Sequence, residues 1–305
     1  MSIKIRLVFK VENLEEPMEE TLSELKKYKG KTFVIKYGGS IMKNKKAEDA
    51  FIKDIKYLRK VGINIVIVHG GGPEISKWLD ISGIETSFVN GLRVTDEKVI
   101  EIVEMVLSGK INKRLSLKFN LNGVNAVGLS GVDNKLIEAE KKYVYKNGEK
   151  IDIGYVGNVT NINSEFIEAL LKNNQVPVIS PIGCDVEGNI YNINADYAAA
   201  FVSSALDAEK LIILTDVEGV YKNINDPQSI IHRMNIDDIN YYIKEQIIKG
   251  GMIPKIECCA SAIKNGTKNV HLIDGRNNHC LINDILNYSG TIISYGSGIK
   301  CQKAI

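Results

Sequence analysis

The sequence predicts an α/β fold built on a mainly parallel sheet, because apolar strands alternate with amphipathic helices along most of the chain. Residues 33–36 form an apolar strand, and residues 47–61 space their apolar side chains with the period of a helix. Residues 63–69 are a continuous β-branched run, which is typical of a strand covered on both faces. A repeated order of strand, glycine turn and helix favours a parallel sheet.

The first thirty residues precede this alternation. Met18, Leu22 and Leu25 lie at helical spacing, with glutamates before them and lysines after them, and Gly30 is placed to stop the helix. We therefore expect an N-terminal helix outside the sheet. Residues 3–11 alternate apolar and basic side chains, a strand-like pattern without a predicted partner.

The middle of the chain departs from the parallel pattern. Asn147 and Gly148 stand between two alternating segments, which is a strong signal for a hairpin turn. Residues 135–160 are therefore predicted to form an antiparallel flap. The core elements then resume as a strand at 176–180, a helix at 195–206, and strands at 211–215 and 270–273.

A domain boundary is predicted near residue 180, within the segment Ser180-Pro181-Ile182-Gly183. It divides the chain into an N-terminal extension (residues 1–30), a first lobe (31–180) and a second lobe (181–305). At 305 residues the chain is long enough for two ordinary domains.

Composition and charge exclude several function classes. The net charge of +2 gives no basic surface for a polyanion, so nucleic acid is not an expected partner. No apolar run approaches the ~20 residues of a membrane helix, and the N-terminus lacks the pattern of a signal peptide, so we expect a cytoplasmic protein. The five cysteines show no C-x-x-C spacing, which favours reduced, packed thiols.

Two apparent motifs fail on inspection. Residues 30–32 read Gly-Lys-Thr, like the end of a phosphate-binding P-loop, but Leu25 stands where that motif needs its first glycine. The segment also precedes a strand rather than opening a helix. The four histidines form no H-x-x-x-H pair, so the sequence gives no support for a histidine metal site.

Glycine turns follow two predicted strands, at the edge where open α/β sheets bind their ligands. Lys36 is followed by the glycine pair 38–39, and a glycine triplet occupies residues 70–72. Glycine lets backbone N–H groups approach an anion closely, and a helix that begins there adds a positive dipole end. Glycine at such a position can also serve only to turn the chain.

Charged residues at further turns strengthen the prediction of an anion site. Arg93 precedes a helix that Thr95 is predicted to open, and a guanidinium can hold a carboxylate in two places. Asp196 opens a helix of small residues, and Lys255 lies at another glycine turn before a helix. Each alone would be an ordinary surface charge; together on one scaffold they indicate a site.

Six motifs, in this order, resemble the amino-acid kinase family and most closely its kinases of N-acetyl-L-glutamate: KYGGS (36–40), HGGGPEI (69–75), NGLRVTD (90–96), NINAD (192–196), TDVEGVY (215–221) and GGMIPK (250–255). The resemblance extends from about residue 22 almost to residue 295. It implies a three-layer αβα sandwich with a mainly parallel central sheet, an N-terminal helix and a β-hairpin flap.

The same resemblance implies transfer of the γ-phosphoryl group of ATP to the side-chain carboxylate of N-acetyl-L-glutamate, in arginine biosynthesis. Lys36 and Lys255 would hold the transferring phosphoryl group from two sides, and Asp196 would orient both lysines. Gly38 and Gly39 would donate N–H groups to the phosphates.

On the acyl side, Gly71 and Gly72 would approach the reacting carboxylate, Arg93 would bind the α-carboxylate and Asn192 the acetamido group. The ribose and base of ATP would be lined by Asp216, Val217, Glu218, Gly219, Val220, Tyr221, Ile247, Ile248 and Lys249. Mg²⁺ would bridge the phosphates of ATP with few protein ligands, which suits its preference for water and phosphate oxygens.

The resemblance also implies a homo-oligomer, either a dimer or a hexamer in which N-terminal helices of neighbouring dimers interlace. L-Arginine is the expected effector. Residues 271–276 and His279 fit the C-terminal region of arginine-inhibited members, but their usual glutamate five residues after that histidine is Asp284 here. The departure lies outside the catalytic motifs, and it leaves inhibition by arginine open.

Two other functions stay open. A sister kinase that acts on aminoadipate or glutamate attached to a carrier protein would use the same lysines, although NGLRVTD favours the free acetylated substrate. A catalytically silent sensor of a nucleotide or an amino acid would share the fold, but it has no need to keep Lys36, Asp196 and Lys255 together.

Overall fold

The computed structural model describes residues 19–42, 44–146 and 148–296. The sequence features that lie outside the described residues are the strand-like pattern at 3–11, Met18, Asn147 and Cys301. No helix among the described residues has the length and apolar character needed to cross a membrane.

The described residues form fourteen β-strands and eleven α-helices. The strands are β1 Thr32–Tyr37, β2 Asn64–His69, β3 Phe88–Val89, β4 Leu92–Arg93, β5 Ala126–Ser130, β6 Ile137–Lys146, β7 Glu149–Ile162, β8 Val176–Ser180, β9 Ile182–Cys184, β10 Ile190–Asn192, β11 Lys210–Thr215, β12 Arg233–Asn235, β13 Val270–Asp274 and β14 Thr291–Ser294. The α-helices are α1 Glu19–Lys26, α2 Gly39–Met42, α3 Lys45–Val61, α4 Gly72–Ile81, α5 Glu97–Glu104, α6 Asn112–Leu121, α7 Ser164–Lys172, α8 Ala195–Ala205, α9 Ile239–Lys244, α10 Met252–Lys264 and α11 Cys280–Asn287.

Eight strands form the central sheet, in the order β12-β14-β13-β11-β1-β2-β8-β5. Neighbouring strands from β13 to β5 are parallel, whereas β14 is antiparallel to β13. The predicted core strands are all present, so the mainly parallel sheet is confirmed. Because parallel strands end at the same edge, the turns that follow β1, β2 and β11 lie close together.

Helices cover both faces of this sheet. Val34 points into one core, which contains Ala199 of α8, and its neighbours Phe33 and Ile35 point into the other, which contains Phe51 of α3. The first core also includes α7 and α10, and the second includes α6 and α11. This alternation along β1 is the period-two pattern of a strand buried on both faces, and it confirms the three-layer αβα sandwich.

Local capping explains why the helix after β1 has these bounds. Asn44 lies just before α3, and its side chain accepts a hydrogen bond from the Ala47 N–H at 3.2 Å. Gly62 ends the helix in the left-handed conformation, with a φ of 93°. An Asn cap at the start and a left-handed Gly at the end are the preferred signals for a helix of this kind.

The predicted N-terminal helix is confirmed as α1, but it ends at Lys26, ahead of the predicted stop. Gly30, with a φ of 76°, instead lies in the turn that leads into β1. Leu25 is fully buried in the same hydrophobic core as Phe51 of α3, so the C-terminal part of α1 packs on its own subunit.

The predicted antiparallel flap is confirmed. β6 and β7 pair from Ile137 opposite Ile162 to Lys146 opposite Glu149. β9 and β10 join them in a small closed barrel of order β10-β7-β6-β9. β9 and β10 follow residue 180 in the chain yet pair with strands that precede it, and the division into lobes at that point stays a prediction.

The predicted packed thiols are also present. Cys184, Cys258, Cys259 and Cys280 are free cysteines, and the last three are buried. Burial raises the pKa of the Cys259 and Cys280 thiols well above the ordinary value, which keeps them protonated and unreactive.

Candidate active site

A cleft of about 240 Å³ lies at the carboxyl ends of β1 and β2. Seven residues singled out in the sequence line it: Lys36, Gly39, Gly71, Gly72, Arg93, Asn192 and Asp196. The two glycine turns are joined directly, because the Gly70 N–H donates to the Tyr37 carbonyl at 2.9 Å. The cleft therefore lies at the edge of the sheet where an open α/β sheet is expected to bind its ligands.

Two lysines meet one carboxylate at this edge. Lys36 Nζ, from β1, lies 2.9 Å from Asp196 Oδ1, and Lys255 Nζ, from the first turn of α10, lies 2.5 Å from Asp196 Oδ2. Asn194 caps α8 and accepts a hydrogen bond from the Asp196 N–H at 2.9 Å, which fixes the position of the carboxylate. The predicted arrangement of Asp196 between the two lysines is the one observed.

The charges of this cluster are set by burial and by mutual attraction. Burial alone would raise the pKa of Asp196, but the nearby charges of Lys36 and Lys255 outweigh it and lower that pKa to about 2. Burial alone would lower the pKa of Lys255, and the attraction of Asp196 raises it instead. One carboxylate facing two ammonium groups leaves one positive charge uncompensated, which suits an anion entering the cleft.

Arg93 presents a second cationic group. Its Nη2 donates to Ser76 Oγ at 2.8 Å and to the Gly72 carbonyl at 3.3 Å, and its guanidinium carbon lies 4.7 Å from the centre of the Phe88 ring. Its Nη1 is buried and has no hydrogen-bond partner among the described residues. A buried donor without a partner is costly, so a ligand carboxylate at this position would be strongly favoured.

Asn192 and Thr95 connect the arginine loop to β10. Asn192 Nδ2 donates to Thr95 Oγ1 at 3.3 Å, and Thr95 Oγ1 donates to the Arg93 carbonyl at 2.9 Å. The sequence predicts that Thr95 opens the following helix, but the structure shows that it does not. Asp96 is the N-cap, accepting from the Val99 N–H at 2.9 Å, because a carboxylate one residue later reaches the first turn.

Gly71 leaves space for two neighbouring side chains and does not need a conformation special to glycine. Its φ of 177° is extended backbone, but a Cβ added there would lie 2.4 Å from Ile111 Cδ1 and 2.5 Å from Leu107 Cδ2. The same construction at Gly72 meets no heavy atom within 4 Å. The backbone of the turn at Gly71 is thus pressed against side chains of a neighbouring helical segment.

That segment is a π-helical turn, Met105–Ile111, which joins α5 to α6 and was not predicted. π-helical turns are rare and occur often at functional sites. Asn112, directly after it, is buried, and its Nδ2 donates to the Val178 carbonyl at 2.8 Å and the Leu129 carbonyl at 3.1 Å. A single Gly109 in a helical run was the one sequence signal, and it is weak.

Asn112 also meets the end of β2. Its Nδ2 lies 3.2 Å from His69 Nε2, and His69 Nδ1 lies 2.9 Å from the Gly70 carbonyl. Burial lowers the pKa of His69 to about 4, so the imidazole is neutral at physiological pH. The histidine therefore supports the glycine triplet as a neutral hydrogen-bonding group.

The two predicted nucleotide segments, both described, do not line the cleft. Asp216 and Glu218 are exposed directly after β11, and the Tyr221 hydroxyl donates to Glu218 Oε2 at 2.6 Å. Val220 is buried, and its N–H donates to Thr291 Oγ1 at 2.8 Å. Ile248 is also buried in the core. In these segments exposed residues such as Asp216 and Glu218, rather than the Val220 and Ile248 side chains, remain accessible to a ligand.

The residue types at the cleft do not form a dedicated metal site. Among the described residues, no group of three or more His, Cys, Asp or Glu side chains could hold a metal ion. Asp196 is the one carboxylate among the described residues that line the cleft, and both its oxygens already face lysines. A divalent cation at this site would therefore be held by ligand oxygens.

Residues 31–274 match the sequence profile of the Amino acid kinase family. The chain is 81% identical over 295 residues to the acetylglutamate kinase of Clostridium acetobutylicum, covering 97% of this chain and 100% of that protein. It is 50% identical over 271 residues to the acetylglutamate kinase of Caldanaerobacter subterraneus subsp. tengcongensis, covering 89% of each.

A solved structure shares the fold at low identity. The N-acetylglutamate synthase from Neisseria gonorrhoeae, complexed with coenzyme A and N-acetyl-glutamate, superposes with a TM-score of 0.79 at 22% identity. The match covers 92% of this chain and 63% of the synthase chain. The likeness at 22% identity shows the fold alone, so the family assignment rests on the profile and on the two kinase relatives. The chain belongs to the amino acid kinase family and, within it, to the acetylglutamate kinases.

Proposed function

We propose that this protein transfers the γ-phosphoryl group of ATP to the side-chain carboxylate of N-acetyl-L-glutamate, giving N-acetyl-L-glutamyl 5-phosphate for arginine biosynthesis. The observation that carries the proposal is Asp196 bridging Lys36 and Lys255 in a cleft that Arg93, with its buried and unpaired Nη1, also lines. The relative at 81% identity bears the name of this activity.

The chemistry asks little more than charge neutralisation and alignment. Phosphoryl transfer proceeds with charge spread over the phosphoryl oxygens, and positively charged groups stabilise it. The attacking carboxylate has an ordinary pKa of about 4.3, so it is ionised at neutral pH and needs no general base. Lys36 and Lys255 would contact the phosphoryl oxygens from two sides, while Asp196 holds both ammonium groups in position.

The remaining groups would orient the two substrates. Arg93 Nη1 would bind the α-carboxylate, Asn192 the acetamido group, and the backbone at Gly71 and Gly72 the reacting carboxylate. The 31–180 lobe would thus hold most of the acyl substrate, and the 181–305 lobe would contribute Asn192. The 181–305 lobe would hold ATP.

The nucleotide side of the proposal uses backbone more than side chains. Gly38, which follows β1, and Gly39, which opens α2, would donate N–H groups to the phosphates. The predicted segments 216–221 and 247–249 would line the ribose and base. Mg²⁺, held by the phosphates of ATP, would supply further charge neutralisation when bound.

The test traps the product. Purified protein, MgATP and hydroxylamine are incubated with N-acetyl-L-glutamate, with free glutamate or with aspartate, and the hydroxamate of the acyl phosphate is measured. Hydroxamate from N-acetyl-L-glutamate alone supports the proposal. No hydroxamate from any of the acids, with ATP still bound, contradicts it and favours the carrier-linked kinase or the silent sensor.

We also propose that L-arginine is an effector of this enzyme. His271 Nδ1 lies 2.6 Å from Asp284 Oδ2, and Lys210 Nζ lies 2.9 Å from His271 Nε2. The buried Asp284 Oδ1 has no hydrogen-bond partner among the described residues. Lys210 Nζ lies 5.1 Å from the centre of the Tyr28 ring, just after α1, which connects this cluster to the N-terminal helix. Loss of hydroxamate on adding arginine would support it; unchanged hydroxamate would contradict it.

Self-assembly is proposed on the exposed face of α6. Leu117 and Leu121 are 57% and 77% exposed, one helical turn apart, and Met105 is 58% exposed on the preceding π-helical turn. Large apolar side chains grouped on a surface indicate a protein contact. We propose a homodimer, with hexamers formed through the N-terminal helix. The cytoplasmic location predicted from the sequence stays a prediction.

A further inference from the structure

A second cavity lies behind the catalytic cleft. It has a volume of about 510 Å³ and is enclosed by the end of β1, the first turns of α4, and α6 with the π-helical turn before it. Gly39 and Gly71 line both this cavity and the cleft, so the backbone of the two glycine turns separates them. We call this second cavity the basic pocket.

The charges of the basic pocket do not balance. Four cations line it, Lys77, Lys110, Arg114 and Lys118, against two carboxylates, Glu48 and Glu74. Both carboxylates are already engaged, because Lys110 Nζ lies 2.5 Å from Glu74 Oε1 and Lys118 pairs with Glu48. Lys77 and Arg114 form no ion pair with any described residue. Two positive charges at the rim are therefore available to an anion.

The floor of the basic pocket is apolar. Tyr37 is fully buried, Leu115 is 3% exposed, and Pro73 and Ile111 complete the surface. The Tyr37 hydroxyl donates to Glu48 Oε1 at 3.2 Å, and its buried ring packs on Phe51, so Pro73 and Ile111 offer the accessible apolar surface. A pocket of this size, with apolar walls and a few charged groups, has the character of a small-molecule site.

One helical segment touches both cavities. Ile111 lines the basic pocket, Leu107 lines the catalytic cleft, and both side chains occupy the space that a Cβ at residue 71 would need. A ligand that displaced Ile111 would therefore act on the glycine turn and on Leu107 together. Such a shared element is the physical link that coupling between two sites needs.

We propose that the basic pocket is a regulatory site for a small organic anion that carries an apolar ring or chain. Its acidic group binds Lys77 and Arg114, and its apolar part lies on Pro73 and Ile111. Binding there alters the kinetics of the catalytic cleft through the Gly71 turn. The binding claim is independent of the proposed function, whereas the kinetic claim rests on it.

The probe is 8-anilino-1-naphthalenesulfonate, an aromatic anion, and the uncharged N-phenyl-1-naphthylamine is its matched analogue without the sulfonate. Trp78 is the single tryptophan of the chain. It reports on the pocket because its Nε1 donates to Glu74 Oε1 at 3.1 Å and Lys110 Nζ lies 4.6 Å from its ring centre. Quenching of Trp78 emission gives the Kd.

We expect the sulfonate to bind the wild-type chain at least about ten-fold more tightly than the uncharged analogue. The double variant Lys77→Gln/Arg114→Gln should weaken sulfonate binding by about ten-fold or more, and Lys53→Gln, an exposed lysine on α3, should leave it unchanged. Equal Kd values for wild type and double variant would overturn the proposal. So would loss of binding in Leu121→Ser alone, because the exposed face of α6 would then be the site.

Competition and kinetics separate the basic pocket from the cleft. MgATP and N-acetyl-L-glutamate should change the Kd of the sulfonate only up to a limiting value, since coupled sites saturate. A Kd that rises without limit would place the probe in the cleft and overturn the proposal. Bound sulfonate should change kcat/KM in the wild type and in Lys53→Gln but not in the double variant. If the sulfonate changed kcat/KM in the double variant as much as in the wild type, the kinetic claim would be contradicted. If the protein had no activity, the binding titration alone would decide the proposal.

Discussion

At the scale of single residues, Asp196 is the centre of the candidate site, because its two oxygens face two different lysines. Lys36 reaches it from a strand and Lys255 from a helix, so neither ammonium group depends on a flexible loop. Rigid elements hold catalytic groups more accurately than loops do. Both ammonium groups therefore face the same space, and Asp196 keeps them close to each other.

Removing either lysine should mainly lower turnover. Lys36→Ala and Lys255→Ala should each reduce kcat by about a hundred-fold or more, because each removes a charge that stabilises the transferring phosphoryl group. The KM values should change far less. Lys53→Ala is the control, since that lysine is exposed and is not one of the proposed site residues. Steady-state kinetics with hydroxamate detection would contradict the assignment if both variants kept a near-normal kcat.

Arg93 should act on binding rather than on turnover. Arg93→Ala should raise the KM for N-acetyl-L-glutamate by about ten-fold or more with a smaller change in kcat, because the lost partner binds a carboxylate that does not react. Arg93→Lys should recover little, since an ammonium group cannot keep the contacts with Ser76 and Gly72 while reaching the ligand. An unchanged KM in both variants would remove Arg93 from the substrate site.

The low pKa of Asp196 makes a testable contribution to stability. Because its folded pKa, about 2, lies below the ordinary 3.8, the carboxylate stabilises the fold above about pH 4, and this contribution is lost as the pH falls toward 2. From about pH 5 to about pH 3 the wild type should lose about 1 kcal/mol more than Asp196→Asn. Urea unfolding at each pH measures it. Parallel curves for the two proteins would show that the pKa is not lowered.

At the scale of elements, the π-helical turn Met105–Ile111 is the feature that shapes the cleft. It places Leu107 and Ile111 against Gly71, and Asn112 fastens its end to β5 and β8. Sequence periodicity could not show this turn. A π-helical turn changes the helical phase by one residue, and a single glycine within an apolar run does not reveal such a shift.

Asn112 should therefore be costly to replace. Asn112→Leu keeps a similar volume but leaves the Leu129 and Val178 carbonyls without their donor, and it should lower the free energy of unfolding by about 2 kcal/mol or more. Asn122→Ala is the matched control, because Asn122 Nδ2 makes one exposed hydrogen bond within the same helix end. Urea unfolding compares the two; similar stabilities would mean that water replaces the Asn112 amide.

At the scale of the whole molecule, most of the fold was predictable because a strand buried on both faces has a distinctive composition. Residues 63–69 and 211–215 are β-branched runs of this type, and both lie in the parallel sheet. The closed barrel was not predictable. β9 and β10 are three residues each, too short to show alternation. They pair with each other, and Cys184 and Asn192 join them to β6 and β7, which lie earlier in the chain.

Like the fold, the candidate site was predicted only in part from the sequence. Lys36, Asp196, Lys255 and Arg93 were identified because charged residues at glycine turns are unusual and match a known family. Asn112 was missed, because a buried asparagine looks like any polar residue until its partners on other strands are known. The nucleotide segments 216–221 and 247–249 stay predictions, since they do not line the cleft.

Assembly should depend on the N-terminal helix. Deleting residues 1–22 keeps Leu25, which is buried in the subunit core, but removes the front of α1. We expect light scattering to show a smaller oligomer, and hydroxamate assays to show retained activity with weakened inhibition by arginine. An unchanged mass would contradict the interlaced hexamer. A protein that also lost activity would show that this segment supports the fold itself.

The place of β1 in the sheet has a consequence for biosynthesis. β1 carries Lys36 and is made early, but its neighbour β11 follows only after most of the chain has emerged from the ribosome. Until then one edge of β1 is open, and an open apolar edge is prone to aggregate. Pairs so far apart in sequence also close slowly. The nascent chain therefore passes through a long unprotected interval, and slow translation or chaperone shortage should lower the yield of this enzyme before any catalytic residue is altered.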